Sequence, residues 1–402
     1  MPTFQYEGRE RTGKKVRGKI EANTRNSAIM ELKQQGVLVL NMQEQIKGVL
    51  DRNIEFTRPV KGRDIVIFLR QFATLIRAGI GIVESVHILA AQTESKKLRK
   101  YLVDIEVDLQ QGTQLSEACA KFPKVFEPLF ISMVRAGEAS GNMELVLDRL
   151  ATFYEKSYYT KEKIKSAMAY PVTVGLMSVT VTVFLLVSIV PTFVDMFAGF
   201  QAELPAITKA VMGFSNSLVE VWYLYFLGLL ALFIGFRIFV NTSYGRYYTD
   251  YGMLKLPIFG KLLQKGAVAR MTRTLATLFA SSVPILQSLN IVEGVVGNQL
   301  ISKSIGEAKE SLRQGRPLSE PFKKSWVIPP MVSHMIAVGE ETGSLDSMLD
   351  KVADFYEKEV ENSVDKIKSL IEPIMIVCLS GIVGTIVLSI MVPMFEIFSQ
   401  VK

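Results

Sequence analysis

Three runs of apolar residues without a charged side chain interrupt the chain, at residues 172–190, 221–236 and 374–395. A helix needs about 20 residues to cross the hydrocarbon core of a bilayer, so we predict a transmembrane helix for each run. The second helix is long enough if it continues past Arg237, whose side chain can extend to the interface. We set the three spans at residues 171–194, 221–240 and 373–396. The alternative is a buried core helix of a large soluble protein.

Elsewhere the apolar residues recur at the spacing of an amphipathic helix. The first such stripe consists of Ile65, Phe68, Leu69, Phe72, Leu75 and Ile76. Further helices are predicted at residues 82–93, 96–111 and 126–136, with glycine and proline between them. Because an apolar stripe has to be buried, we predict that these helices pack into two bundles. The bundles cover residues 62–170 and 265–372, and a connector at 241–264 precedes the second bundle.

The beginning of the chain has a different pattern. Apolar and polar residues alternate on both sides of a turn at Thr12 and Gly13, which indicates two strands. A short helix that ends at Gly36 comes before a third apolar strand. We therefore predict a small α+β module at residues 1–45 and a polar linker at 46–61.

One stretch of the sequence occurs twice. Residues 135–156 and 337–358 align without a gap and agree at ten positions. In the first copy these positions are Gly137, Glu138, Gly141, Leu147, Asp148, Ala151, Phe153, Tyr154, Glu155 and Lys156. The correspondence extends upstream, where Arg70 matches Arg273. The chain is therefore an internal duplication, and each copy ends in a long apolar run.

The centre of the repeat reads Gly-Glu-x-Ser/Thr-Gly, which predicts a tight turn between two helices. The last glycine is expected to take positive φ, and Asn142 or Ser344 is expected to cap the following helix. The glutamates either cap a local helix end, which we favour, or contact a protein partner. The candidate residues of this motif are Gly137, Glu138, Gly141, Gly339, Glu340 and Gly343.

Two prolines and one acid lie where the bundles meet the spans. Pro171 and Pro373 are predicted to mark the points at which the cytoplasmic helices bend into the membrane. Glu372 directly precedes Pro373, whereas the first copy has Tyr170 at that position. A carboxylate at this depth costs free energy unless it is paired or hydrated. Glu372 is therefore either a partner contact or a hydrated interfacial acid.

The charges that flank the spans predict their direction. Basic residues lie before the first span, after the second and before the third, among them Lys161, Lys163, Lys165, Arg246, Lys255, Lys366 and Lys368. Between the first two spans only Lys209 is basic. The positive-inside rule thus places both bundles in the cytoplasm, and the 195–220 loop and the C-terminus outside. Two copies with the same direction need an extra helix between them, and the unduplicated second span supplies it.

Composition narrows the class of protein further. The hydrophobic fraction is 49% and the mean hydropathy is positive, as in membrane proteins. The net charge is +7, but the basic residues alternate with acids, so no nucleic-acid site is predicted. Cys119 and Cys378 lack the spacing of a zinc site or disulfide. The polar first twenty residues argue against a cleaved signal peptide and predict a cytoplasmic N-terminus.

No catalytic constellation is visible. The chain has no GxxxxGK[ST] sequence for a P-loop, and its two histidines, His87 and His334, occupy non-equivalent positions of the repeat. We therefore predict a protein that is not an enzyme, without catalytic, cofactor-binding or metal-binding residues. A transporter would place ionisable groups near the middle of the bilayer, and a receptor would need an external domain larger than the predicted loop. Both classes remain as competing interpretations.

With its doubled turns, three spans and Ile371-Glu372-Pro373 entry to the last span, the sequence resembles the inner-membrane platform proteins of type IV pilus assembly (PilC) and type II secretion (GspF). The resemblance covers essentially the whole chain. It implies an all-α integral membrane protein of the bacterial inner membrane, with two tandem six-helix cytoplasmic bundles and a small N-terminal α+β module. The N-terminus would be cytoplasmic and the C-terminus periplasmic.

The resemblance also implies a function. The chain would be a non-enzymatic scaffold without a cofactor, which couples a cytoplasmic hexameric ATPase to insertion or removal of pilin subunits at the filament base. Implied partners are pilus assembly and retraction ATPases, inner-membrane alignment proteins, pilins, the lipid bilayer and a second copy in a homodimer. We favour the pilus branch. The alternatives are a type II secretion F protein that drives pseudopilus assembly and, more remotely, a transporter subunit.

Overall fold

The structure is a computed structural model that describes residues 3–10, 15–21, 25–34, 36–44, 59–193 and 205–400. The chain forms two compact units, Met1–Arg58 and Pro59–Lys402. The predicted turn at Thr12 and Gly13 and most of the predicted linker lie outside the described residues.

The first unit is a three-stranded antiparallel sheet with one helix. Its elements are β1 (Thr3–Glu10), β2 (Lys15–Glu21), α1 (Arg25–Gln34) and β3 (Val37–Glu44). The strand order is β2-β1-β3. Ala28 and Leu32 of α1 are buried against Phe4, Val37 and Met42 of the sheet. The predicted α+β module is confirmed.

The second unit begins with a bundle of helices. These are α2 (Gly62–Arg77), α3 (Ile82–Gln92), α4 (Lys96–Gln110), α5 (Leu115–Ala120), α6 (Pro128–Ser140) and the first part of α7 (Met143–Phe184). The predicted stripe of α2 is buried, since Leu69 and Phe72 have no exposed surface. Helix α6 begins at Pro128, two residues later than predicted, because proline is suited to the first helical position.

The chain then passes through a region of long apolar helices. Helix α7 continues through a π-helical turn, Leu185–Ile189, as far as Phe193. Two helices follow, α8 (Ala206–Glu220) and α9 (Trp222–Asn241).

The second bundle repeats the first. A short helix, α10 (Ser243–Lys255), leads into α11 (Phe259–Ala280), α12 (Ile285–Val295), α13 (Gln299–Arg313), α14 (Ser319–Lys324), α15 (Pro330–Thr342) and α16 (Leu345–Gln400). Helices α11–α16 correspond in order to α2–α7. The buried apolar side chains of both bundles form one continuous core, so the two copies pack as a single body.

Within the described residues, three helices are long and apolar enough to cross a membrane: Met143–Phe193, Trp222–Asn241 and the Leu345–Val392 part of α16. The three predicted spans and the all-α architecture are confirmed. Helices α7 and α16 run through Pro171 and Pro373 without a break. Both helices are therefore continuous across these prolines, and the predicted bend at each of them stays a prediction. Each removes one backbone hydrogen bond, which a long helix tolerates when its neighbours hold it in place.

The prediction of a loop at residues 195–220 is wrong for its second part, because residues 206–220 form α8. This helix packs on the ends of two spans. The Thr208 hydroxyl donates to the Ser389 carbonyl at 2.7 Å, and the Ser215 hydroxyl donates to the Leu186 carbonyl at 2.6 Å. Apolar side chains such as Val211 complete the contact. Residues 194–204 lie outside the described part of the chain.

Candidate functional site at the paired turns and stalk helices

The Gly-Glu-x-Ser/Thr-Gly motif forms the same turn in both copies. Gly141 ends α6 with φ 73°, and Gly343 ends α15 with φ 69°. Only glycine adopts this left-handed conformation without a steric penalty. The positive φ lets the chain reverse directly into α7 or α16. Both helices begin two residues later.

The first glycine of the motif allows close helix packing. A Cβ placed on Gly137 would lie 3.2 Å from Val146 Cγ2, and one placed on Gly339 would lie 3.0 Å from the Cα of Leu345. Both glycines are buried. A side chain at either position would therefore force apart the two helices that the turn joins.

The glutamate of the motif caps a short helix of its own bundle. Glu138 accepts hydrogen bonds from the Ser116 backbone N–H at 3.2 Å and from the Ser116 hydroxyl at 2.6 Å. Glu340 accepts from the backbone N–H groups of Leu318 and Ser319, at 2.5 and 3.1 Å. The two carboxylates thus bind N–H groups at the start of α5 and α14 that have no partner within the helix. Their negative charge is also favourable beside the positive end of the helix dipole. Of the two roles considered for these glutamates, the structure therefore shows the local one.

The predicted caps of the following helices are not formed. Asn142 makes no side-chain capping bond to α7, and the Ser344 hydroxyl pairs instead with the Thr342 hydroxyl at 2.6 Å. Asn142 has φ −98° and ψ 49°, which is not the extended backbone typical of a capping residue.

Each bundle contains an arginine that joins its first helix to its last. In the first bundle, Arg70 of α2 makes a two-pronged contact with Glu155 of α7, at 2.7 and 2.5 Å, and also contacts Asp148 at 3.1 Å. In the second bundle, Arg273 of α11 makes the same two-pronged contact with Glu357, at 2.6 and 2.8 Å. Planar pairing of this kind fixes both position and direction.

The second arginine has more acidic partners and is less exposed. Arg273 also donates to Asp350 and Asp354. Its side chain is 11% exposed, against 38% for Arg70. The pKa of Glu155 is lowered by its hydrogen bond from Arg70. Burial alone would raise the pKa of Asp354, but hydrogen bonds from Lys156 and Arg273 hold it below its usual value.

Lys156 of the first copy forms ion pairs with acidic residues that contact Arg273 in the second copy. Its Nζ lies 3.0 Å from Asp354 Oδ1 and 3.3 Å from Glu357 Oε2, both on α16. Seven residues later, Lys163 pairs with Glu361 at 3.3 Å. The partners advance in the same direction along both helices, so α7 and α16 run side by side and parallel. We call their portions before the apolar runs, residues 143–170 and 345–372, the stalk helices.

The parallel contact continues into the spans. A Cβ placed on Gly175 would lie 3.7 Å from Met375 Cε. Pro171 is buried, whereas Pro373 and Glu372 are exposed. Glu372 has no ion pair or hydrogen bond within the described residues, so both predictions for it stay open. The structure thus gathers the motif residues at the far ends of the stalk helices, and the prolines and Glu372 at the ends nearest the spans.

The arginine network was missed as a candidate site, although a signal for it was present. Arg70 and Arg273 occupy matching positions, as do Asp148 and Asp350, and Glu155 and Glu357. Identical charged residues in two copies that have otherwise diverged indicate a shared contact. Their spacing alone could not show that the partners lie more than seventy residues apart in the chain.

The site contains charged contacts. Among the described residues, no group of three or more His, Cys, Asp or Glu side chains could hold a metal ion. The described part of the site is therefore an arrangement of helix caps, close contacts and ion pairs.

Comparison with known families matches these two copies separately. The profile "Type II secretion system (T2SS), protein F" matches residues 68–191 and again 271–393. The profile "Type II secretion system protein F, N-terminal domain" matches residues 1–43. Each main match contains one bundle and one duplicated span, and α9 falls between them. The internal duplication is confirmed.

Relatives from both branches match along the full chain. A "Type IV pilus assembly protein PilC" of Thermus thermophilus is 41% identical over 100% of both chains. One of Myxococcus xanthus is 36% identical over 99% of this chain and 96% of its own. A "Type II secretion system protein F" of Aeromonas hydrophila is 35% identical over 95% of this chain and 99% of its own. The chain therefore belongs to the family of PilC and type II secretion F proteins, which are platform proteins and not enzymes.

Proposed function

We propose that the chain is the inner-membrane platform protein of a type IV pilus assembly machine. It couples a cytoplasmic hexameric ATPase to insertion or removal of pilin subunits at the filament base. One observation carries this proposal: each bundle is joined to a span by an unbroken helix, Met143–Phe193 in the first copy and Leu345–Val392 in the second.

Unbroken helices are suited to passing a displacement from the bundles to the bilayer. At about 1.5 Å per residue, the 51 residues of the first helix extend over about 75 Å. The ion pairs of Lys156 and Lys163 tie this helix to its counterpart. A partner that tilts the bundles would therefore move both spans together. The bundles are the surfaces that we assign to the ATPases.

The pilus branch is favoured by the relatives. The two pilus proteins described above are 41% and 36% identical to this chain, and the secretion protein is 35% identical. The second candidate is accordingly a type II secretion F protein that drives pseudopilus assembly. A transporter subunit is disfavoured because the three apolar runs carry no charged residue. Measurement of solute flux in liposomes tests that class.

The orientation belongs to the same proposal. The basic residues beside the bundles favour a cytoplasmic N-terminus and bundles, with α8 and the C-terminus on the periplasmic side. In the membrane, the chain would contact pilins, inner-membrane alignment proteins and a second copy of itself.

Cysteine labelling tests the orientation. In cells with a permeabilised outer membrane, an impermeant maleimide should label a Lys209→Cys variant, whereas Lys96→Cys should react only after lysis. The parent chain, with Cys119 and Cys378, gives the background. Labelling of Lys96→Cys in unlysed cells would reverse the orientation.

Deletion of the gene tests the function and separates the branches. Electron microscopy for surface filaments is combined with an assay of secreted proteins from the same cultures. Loss of pili with normal secretion is the expected result. Normal pili with exoproteins trapped in the periplasm would assign the chain to type II secretion instead.

A further inference from the structure

A cluster of exposed aromatic and apolar side chains lies just after α9, outside the paired turns and stalk helices. Tyr244 and Tyr248 of α10 are 82% and 63% exposed, and Trp326 of the second bundle is 57% exposed. We call the surface formed by Tyr244, Tyr248, Lys255, Ile258, Phe259 and Trp326 the interfacial surface. Tyrosine and tryptophan are the residues that concentrate at the boundary between lipid and water.

Helix α10 is held in place by contacts with the second bundle. The Asp250 carboxylate accepts a hydrogen bond from the Gln299 backbone N–H, at the start of α13, at 2.7 Å. The Tyr251 ring packs edge-on against Trp326, with 5.9 Å between ring centroids. Leu254 packs against the bundle core. These contacts fix α10 to the second bundle and leave Tyr244 and Tyr248 facing outward.

The surroundings of these aromatic residues are basic. Arg246, Lys255 and Lys261 are exposed, and none of them forms an ion pair within the described residues. Lys255 Nζ lies over the Tyr251 ring, 4.6 Å from its centroid. The single acid of this segment, Asp250, is engaged as a helix cap. The interfacial surface therefore combines apolar side chains with uncompensated positive charge, as in helices that lie on anionic membranes.

The packing of α11 against α16 indicates how far the interfacial surface lies from the start of the last apolar run. Lys265 contacts Glu359 at 2.7 Å and Ser363 at 3.1 Å, while Arg273, further along α11, contacts Asp350, earlier on α16. The two helices are thus antiparallel, and α11 begins at the end of α16 that enters the membrane. Continued at about 1.5 Å per residue, this register brings Phe259 within about 10 Å of the start of the apolar run. The headgroup layer is about 5–7 Å thick on each side of the hydrocarbon core, so Phe259 of the interfacial surface lies near the edge of this layer.

The backbone conformation of the turn before α11 also indicates a functional surface. Ile258 has φ 69°, in the left-handed region that β-branched residues rarely occupy. Its side chain is 45% exposed, and that of Phe259 is 44% exposed. An unfavourable backbone conformation therefore coincides with two exposed apolar side chains, and strained residues of this kind cluster at functional sites.

We propose that the interfacial surface docks on the cytoplasmic leaflet through contact with anionic phospholipid headgroups. The aromatic rings lie among the headgroups, and Arg246, Lys255 and Lys261 pair with lipid phosphates. This docking holds the second bundle against the membrane beside the last span. It rests on the orientation given under the proposed function.

Trp326 offers a direct measurement, because the chain has two tryptophans. A full-length Trp222→Phe variant, in which Trp326 is the remaining reporter, is placed in nanodiscs. The discs contain phosphatidylcholine alone or an equal mixture with phosphatidylglycerol. In the mixed discs, Trp326 should be quenched by lipids brominated near the headgroup and protected from acrylamide. Equal access of acrylamide to Trp326 in both kinds of disc would overturn the proposal. Protection that requires a second copy or a soluble protein would do the same.

Charge-reversal variants separate lipid contact from a general effect of charge. A basic residue near an anionic surface contributes about fivefold to partitioning, so Arg246→Glu with Lys255→Glu and Lys261→Glu should abolish the quenching of Trp326. The matched control, Lys96→Glu with Arg313→Glu and Lys351→Glu, changes three exposed basic residues elsewhere and should keep it. Quenching that survives the first set, or is lost equally in the second, contradicts the assignment. Because this measurement reads lipid contact and not filament assembly, failure of the platform role would not be mistaken for failure of docking.

Discussion

Three residues of the Gly-Glu-x-Ser/Thr-Gly motif each have their own physical task. The first glycine permits close packing of two helices, the glutamate caps a third helix, and the last glycine supplies positive φ. The sequence predicted the turn and the positive φ, because glycine after a helix has a clear local meaning. It could not identify Ser116 or Ser319 as the partners of the glutamates, since those contacts join residues about twenty positions apart.

Loss of the cap should destabilise the second bundle. Glu340→Ala leaves the N–H groups of Leu318 and Ser319 without their acceptor. We expect the free energy of unfolding to fall by about 1–2 kcal/mol, measured by thermal unfolding of the full chain in detergent. The neighbouring Glu341→Ala, at an exposed position, should have little effect. Equal destabilisation by both substitutions would contradict the capping role.

The ion pairs at Asp354 predict a dependence of stability on pH. The pKa of Asp354 is lower in the folded chain than its usual value of about 3.9. Its charge therefore adds stability above about pH 4, and that contribution is lost as the pH falls through the lowered folded value. Between pH 6 and pH 3, the thermal midpoint of Asp354→Asn should decrease less steeply with falling pH than that of the parent chain. The same decrease in both proteins would show that the ion pairs of Asp354 do not contribute to stability.

At the scale of elements, the apolar runs and the repeat were sufficient to predict three spans and two bundles. The sequence did not reveal α5, α8 or the π-helical turn. Helix α5 has six residues, too few to show a helical period, and α8 was hidden by the expectation that a short connection between spans is a loop. The π-helical turn has no sequence pattern of its own, and the hydroxyl of Ser215 lies at one of its carbonyls.

The contact between α8 and the first span should be sensitive to Ser215. Removal of this buried hydroxyl leaves the Leu186 carbonyl without its side-chain donor. Hydrogen bonds between helices in membranes contribute about 0.6 kcal/mol on average and up to about 1.7. Ser215→Ala should therefore lower the thermal midpoint in detergent by a small, measurable amount. Asn216→Ala, at an exposed position of the same helix, is the control and should leave the midpoint unchanged.

At the scale of the whole molecule, the duplication determines the architecture. The bundles of the two copies share one core, and α9 returns the chain between the copies. The stalk helices run parallel and are joined by ion pairs from Lys156 and Lys163. This pairing could not be predicted from the sequence, because it depends on how two similar surfaces meet. Under the proposed function, movement of either bundle would therefore reach both spans.

Interruption of both stalk helices tests the coupling most directly. A Gly-Gly-Gly-Gly insertion after Lys163 and after the matching Asp365 separates the bundles mechanically from the spans. The control places the same insertions after Gly112 and Gly315, which end helices in the two copies with positive φ and open surroundings. Each variant is expressed in the deletion strain, its amount in the membrane fraction is determined, and filaments are counted by electron microscopy. We predict normal membrane levels for both variants, with filaments lost only when the stalk helices are interrupted. Normal filament numbers with interrupted stalk helices would contradict the account.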